Sequence, residues 1–197
     1  MIGQPRFTLP NLFFIAIIAC IVFLMFNSWV AADQSAENED GFVVLTGNDG
    51  QSHWIGYGHD ATTQPWPENW ELGDGVLHAK GGDVDLRTID EFDDFDLRFE
   101  WKIPPGGNSG VMYRVSQESE PAYHTGPEYQ IFDAAGFADR LTPDTESAAV
   151  YGLYAPSANA GKPPGEWNEG RIVLRDNRVE HYLNGERVVE CELGSDD

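Results

Sequence analysis

Basic residues are scarce in this chain. Its 197 residues hold 12 Lys and Arg against 33 Asp and Glu, a formal net charge of −21. Sequence-independent nucleic-acid binding releases phosphate counterions through clustered cations, and no such cluster exists here. Cysteine is nearly missing, with Cys20 and Cys191 alone. A chain of this length buries enough surface to fold without disulfides or a structural metal. The sequence also lacks a GxSxG elbow, a Walker loop, a dinucleotide fingerprint and an HExxH pair, which removes the chemistries those motifs carry. No repeat and no low-complexity tract is present. Sustained helical periodicity is absent outside the amino end. What remains is 12% aromatic residues and 21 glycines, the composition of a packed, turn-rich β protein.

The amino end stands apart. Arg6 precedes the apolar run Leu12–Phe26, and Val30-Ala31-Ala32 precedes the acidic Asp33. This is the pattern of a signal peptide cleaved after Ala32. The run is also long enough to serve as an uncleaved membrane anchor, and Ile17–Cys20 (IIAC) weakly resembles a lipoprotein box. Each reading exports the domain to a periplasmic or extracellular compartment. Residues 33–40 (DQSAENED) read as an acidic tether, and 41–197 as one domain. If residues 1–32 leave, Cys191 has no intramolecular partner and reads as a small buried hydrophobe.

From Gly41 onward the period is two. In Phe95–Ile103 the residues Phe95, Leu97, Phe99, Trp101 and Ile103 alternate with polar ones, so Leu97, Phe99 and Trp101 are expected buried and Arg98 and Glu100 exposed. Further strands are expected at Gly110–Val115, Glu128–Asp133, Ala149–Tyr154, Gly170–Arg175 and Arg178–Leu183. Asn184-Gly185 is a two-residue hairpin signal. Many short strands at this spacing indicate an antiparallel sandwich of the jelly-roll kind.

The segment richest in chemistry is His124–Asp133 (HTGPEYQIFD). On an extended strand Glu128 and Gln130 share one face, and Tyr129 and Ile131 the other. A bulge near Phe132 would return Asp133 to the polar face. The resulting Glu-x-Gln-x-x-Asp resembles the Glu-x-Asp-x-x-Glu strand of laminarinase-type glycosidases, with Gln and Asp where that family has acids. Trp54, Trp66, Trp70, Trp101 and Trp167, beside Tyr57, Tyr113, Tyr129 and Tyr151, supply rings on which sugar C–H faces stack, although most such rings belong to a core. The five histidines show no metal spacing.

A wider resemblance runs from about Gly41 to the end. Its motifs are GFVVL at 41–45, WELGDGVL at 70–77, FDLRFE at 95–100, PPGGNSGVMYR at 104–114, GPEYQIFD at 126–133, YGLY at 151–154, PGEWN at 164–168, RIV at 171–173 and EHYLNG at 180–185. In this order they resemble the 3-keto-disaccharide hydrolase domain family. The resemblance implies an all-β, concanavalin A-like jelly-roll sandwich. It also implies cleavage of glycosides oxidised at C3, by lyase/hydratase or net hydrolase chemistry. The family pattern continues beyond the EYLNG-type hairpin to further strands, so the domain is expected to be incomplete at its carboxyl end.

That chemistry needs a base for the C2 proton, an acid for the leaving oxygen and a polariser for the C3 carbonyl. Glu128 and Asp133 are candidates for base or metal ligand. His124 and His181 are candidates for acid or base, although Val179 and Leu183 share the face of His181, which also reads as a core histidine. Arg114, Asn108 or a bound divalent cation are candidates for the polariser. Arg114 is expected close enough to one of the acids to lower its pKa. Tyr113, Gln130, Tyr151 and Trp167 complete the expected sugar contacts. The partner is then an oxidised sugar or glycoside. A non-catalytic carbohydrate-binding module and a surface-adhesion domain are the alternatives.

Overall fold

The computed structural model describes the backbone of residues 13–17 and the segments 42–47, 50–58, 62–116, 121–137 and 142–194. The tether at 33–40 and most of the expected leader lie outside the described residues. Within them there is no α-helix, and no helix long and apolar enough to cross a membrane.

Of the twelve strands among the described residues, ten form two main antiparallel sheets. The twelve are β1 (Phe13–Ile17), β2 (Trp54–Gly58), β3 (Thr63–Gln64), β4 (Trp70–Gly73), β5 (Val76–Ala79), β6 (Val84–Thr88), β7 (Phe95–Trp101), β8 (Asn108–Val115), β9 (Glu128–Phe132), β10 (Asn168–Arg175), β11 (Arg178–Leu183) and β12 (Glu186–Glu192). The larger sheet runs β3-β2-β6-β1-β8-β9 and the smaller β12-β11-β10-β7, while β4 and β5 make a separate hairpin. Leu86, Val111, Tyr129 and Ile131 of the larger sheet share one core with Phe99, Trp101, Ile172, Leu174 and Val179 of the smaller. Cys191 is a free, buried thiol of that core, and burial pushes it up to about 11.

Alternation explains the smaller sheet. Phe95, Phe99 and Trp101 of β7 are buried, and Arg98 is exposed. Leu97 and Glu100 depart from the expectation, both being half-buried. β7 also stops at Trp101 rather than Ile103, because Pro104 and Pro105 have no N–H to continue a ladder. The Asn184-Gly185 loop joins β11 to β12 with φ of 50° and 83°, the left-handed pair that a two-residue hairpin demands. On this sheet's outer face Asp96 takes two hydrogen bonds from Arg171, at 2.7 and 2.8 Å. Arg178 and Arg187 there bridge Glu180 and Glu190.

One expected strand is corrected. Ala149–Tyr154 is not a strand. Val150 makes isolated bridges to Tyr129 and Tyr154, and Ala148 and Gly152 have φ of 69° and 68°, so the chain folds back on itself beside β9. Phe13–Ile17 of the expected leader pairs with β6 on one side and β8 on the other. Those five residues cannot both depart with a cleaved leader and hold this place in the sheet.

Candidate active site

The outer face of the larger sheet carries the acids. On β9, Tyr129 and Ile131 enter the core, which turns Glu128 and Gln130 outward, as their spacing predicts. On the neighbouring strand Gly110 stands opposite Gln130, and Met112 opposite Glu128. The Glu128 carboxyl leans over Gly110 into the volume a β-carbon there would fill. On β6, Leu86 enters the core, so Asp85 and Arg87 face outward with Glu128 of β9. Tyr57 of β2 stands beside Asp85 in register, and the Arg87 guanidinium lies 5.9 Å from the centre of the Tyr57 ring.

An apolar cluster of Tyr57, Met112, Val115 and Ala122 roofs part of this face. Ala122 belongs to the short 3-10 turn Ala122–His124, which follows β8 and returns over it. This roof desolvates Glu128. Burial pushes its carboxyl up to about 7, and the nearby Asp85 carboxyl adds to the rise. A carboxyl in that range exchanges its proton near neutral pH, as a general base must. Burial also lowers the pKa of Arg87.

The expected site residues divide around this face. Gln130 is buried and donates from Nε2 to Asn108 Oδ1 at 3.4 Å, so Asn108 and Gln130 stand together at its edge. His124 is exposed, its ring 4.5 Å from that of Tyr123. Tyr151, half exposed, donates its backbone N–H to the Glu128 carbonyl. Trp167 lies away from this face, in the loop before β10, where its ring carries the Lys102 ammonium at 4.8 Å.

Four more expected residues are placed elsewhere. Asp133 does not return to the Glu128 face. Its carboxylate accepts from the backbone N–H of Gly106 at 2.7 Å and of Ala135 at 3.1 Å, so it holds the turn before β8 against the end of β9. Arg114 meets no acid side chain among the described residues. It adopts φ of 52° and donates to Asn177 Oδ1 at 2.6 Å and to the Asp176 carbonyl. Glu128, one of the two acids it was expected to approach, has its pKa raised by burial and by Asp85. Tyr113 and His181 are fully buried between the sheets, out of reach of substrate. His181 Nδ1 lies 2.9 Å from the Ala148 carbonyl. A carbonyl only accepts, so Nδ1 carries the proton and Nε2 accepts from Tyr113 Oη at 2.9 Å. Burial drives His181 down to about 4 and Tyr113 well above the ordinary phenol range.

Asp85 and Arg87 were not singled out from the sequence, and Tyr57 was named only among the rings on which a sugar could stack. The signal is present in VDLRT at 84–88, where an acid and an arginine alternate with apolar residues. Nothing in the linear order joins it to Glu128, because the pairing of β6 through β1 to β8 and β9 does that. Among the described residues no three His, Cys, Asp or Glu side chains gather to hold a metal, so the cation left open above finds no ligand set there.

An antiparallel sandwich with carboxyls, a guanidinium and rings on one sheet face has the character of a carbohydrate-active domain. The chain belongs to the 3-keto-alpha-glucoside-1,2-lyase-like domain family, whose model matches residues 27–197. It is 32% identical over 176 residues to a 3-keto-disaccharide hydrolase of Bacteroides thetaiotaomicron, across 78% of this chain and 59% of that protein. The chain thus spans less than two-thirds of that relative. Two crystal structures of Parabacteroides distasonis proteins assigned as glycosyl hydrolases share the fold. One has a TM-score of 0.66 and 30% identity over 79% of this chain and 73% of its own. The other has 0.60 and 28%, over 70% and 72%.

Proposed function

We propose that this chain is an exported hydrolase or lyase domain that cleaves 3-keto-glycosides, with Glu128 as the base. The observation that carries the reading is the Glu128 carboxyl, lifted to about 7 beside Asp85 on a polar sheet face. Family membership supplies the substrate class.

A ketone at C3 acidifies the hydrogen at C2, because the electron pair left behind delocalises into the carbonyl. Glu128 takes that proton. The C2 electron pair becomes the C1=C2 double bond, and the C1–O bond breaks with its pair leaving on oxygen. His124, exposed on the turn above this face, gives the leaving oxygen its proton. Arg87 polarises the C3 carbonyl. Water then adds its hydroxyl at C1 and a hydrogen at C2, for net hydrolysis. Burial first, and the Asp85 carboxyl second, keep the pKa of Glu128 high enough for proton abstraction near neutral pH. A sugar-binding module without turnover would gain nothing from such a carboxyl.

The test sets a 3-keto-glycoside and its unoxidised parent against the full-length protein in deuterated water. The expected result is cleavage of the ketone alone, with deuterium at C2 of the product. Equal cleavage of both substrates returns the chain to ordinary glycosidase chemistry, and binding without cleavage makes it a module. Export rests on the N-terminal pattern. Sequencing protein recovered outside the cytoplasm should find Asp33 first if the leader is cleaved, which takes β1 from the sheet, or Met1 if it stays as an anchor. An intact Met1 would leave residues 13–17 available to the sheet.

A further inference from the structure

Tyr151 keeps half of its surface exposed, although its backbone is tied firmly into the fold. Val150 bridges Tyr129 of β9 and enters the core. The next residue, Tyr151, therefore opposes Glu128, and its N–H donates to the Glu128 carbonyl at 3.0 Å. Successive residues of extended chain alternate faces, so the Tyr151 side chain stands on the outer face with Glu128. Residues opposed in this way have β-carbons about 4.5–5.5 Å apart. The register is fixed. Ala148, Ala149 and Val150 are fully buried, the Ala148 N–H donates to the Gln130 carbonyl at 2.8 Å, and the Gln130 N–H donates to the Ala149 carbonyl at 3.1 Å. The Glu128 carboxyl leans away from the tyrosine, over Gly110 of β8. Base and ring thus stand side by side on one sheet face, and neither covers the other.

The chemistry decides which side of a sugar meets that face. Removal of the C2 hydrogen is eased by the C3 ketone only if the C–H bond lies perpendicular to the carbonyl plane, where its electron pair overlaps the C=O π system. On a chair that is the axial C2 hydrogen. In the gluco series the axial position at C4 points from the same side of the ring and also carries hydrogen. In the C4 epimer that position carries a hydroxyl. A sugar that presents its C2 hydrogen to Glu128 therefore turns its C4 axial substituent to the same sheet face, where Tyr151 is the neighbouring ring. A C–H there rests on the ring. An axial hydroxyl would be pressed against it, stripped of water without a full hydrogen bond in return.

We propose that Tyr151 reads the configuration at C4, admitting 3-keto-glycosides with an equatorial C4 hydroxyl and rejecting their C4 epimers. The inference rests on the reading of Glu128 as the C2 base.

The test compares kcat/KM of the full-length protein for methyl 3-keto-α-D-glucopyranoside and for its C4 epimer. The parent should favour the first by about thirtyfold or more, within the usual range for a difference of one small group. Tyr151→Ala keeps the backbone bond to Glu128 and should bring the ratio within about threefold. Tyr151→Phe should retain the parent ratio, because the ring and not its hydroxyl excludes the epimer. A tyrosine with a purely structural role would change both substrates alike. Equal turnover of the two epimers by the parent overturns the proposal, as does a parent-like ratio in Tyr151→Ala. Cleavage of neither keto-glycoside refutes the catalytic reading, and the ring contact is then judged by itself. Unoxidised methyl α-D-glucopyranoside should show intermolecular NOEs between its H4 and the Tyr151 ring protons, the latter assigned by their loss in Tyr151→Ala. Absence of those NOEs overturns the contact whatever the outcome of the assay.

Discussion

The carboxyl of Glu128 rests over Gly110, in the space that any side chain on that residue would take. The two lie on adjacent strands, with Gly110 opposite Gln130 and Glu128 opposite Met112. The absence of a side chain on β8 therefore sets where the acid on β9 sits.

Gly110→Ala should displace that carboxyl. Overpacking of this kind costs about 1–3 kcal/mol, read as a lower midpoint in urea. Turnover of a 3-keto-glycoside should fall by about a hundredfold or more, the scale of a lost general base. A variant with normal turnover would mean that Glu128 need not occupy this place.

Glu128→Gln separates chemistry from stability. The folded protein holds the Glu128 proton up to about pH 7, whereas an unfolded chain releases it near the ordinary carboxylate value. The stability this contributes is complete below the unfolded pKa and is lost as pH rises through about 7, roughly 3 kcal/mol in all. Removing the acid should therefore make the variant more stable than the parent at pH 8 and leave the two similar at pH 4, while turnover collapses. Chemical denaturation at both pH values checks this. Equal stabilities at pH 8 would show that the carboxyl is not raised.

His181 works in the opposite direction. Its folded pKa lies near 4, so it stays neutral while the unfolded chain takes up a proton below its ordinary value. That stability is present above the unfolded pKa and is lost as pH falls toward 4. In the parent the two slopes oppose between about pH 4.5 and 6.5, the span the two groups share. In Glu128→Gln stability should climb with pH across that window. A flat profile in the variant would remove His181 from the core account. Tyr113→Phe leaves Nε2 without its donor and should cost about 1–3 kcal/mol with the slope retained.

Asp133→Ala tests the placement of the second acid of the motif. It strips the acceptor from the Gly106 and Ala135 amides, so it should destabilise by about 1–3 kcal/mol. Turnover by the folded variant should stay within severalfold of the parent. A hundredfold fall with an unchanged midpoint would return Asp133 to the catalytic group.

Much of this protein was legible in the order of its residues. Strict alternation in β7 predicted a strand with Phe99 and Trp101 inward, and Asn184-Gly185 predicted its hairpin, because both signals are local backbone chemistry. Glu128 and Gln130 on one face, with Tyr129 and Ile131 on the other, followed from the period of two. Local order could not tell which polar residues on other strands would share that face. Glu128 and Asp133 lie five positions apart, yet Asp133 turns to cap a loop. Asp85, far away in the chain, reaches the Glu128 face because sheet pairing lays β6, β1, β8 and β9 side by side. The sequence offered Tyr113, His181 and Arg114 as polar groups ready for a ligand. The packing of two sheets decided otherwise: Tyr113 and His181, buried between them, satisfy each other and a backbone carbonyl, while Arg114 donates to the turn between β10 and β11.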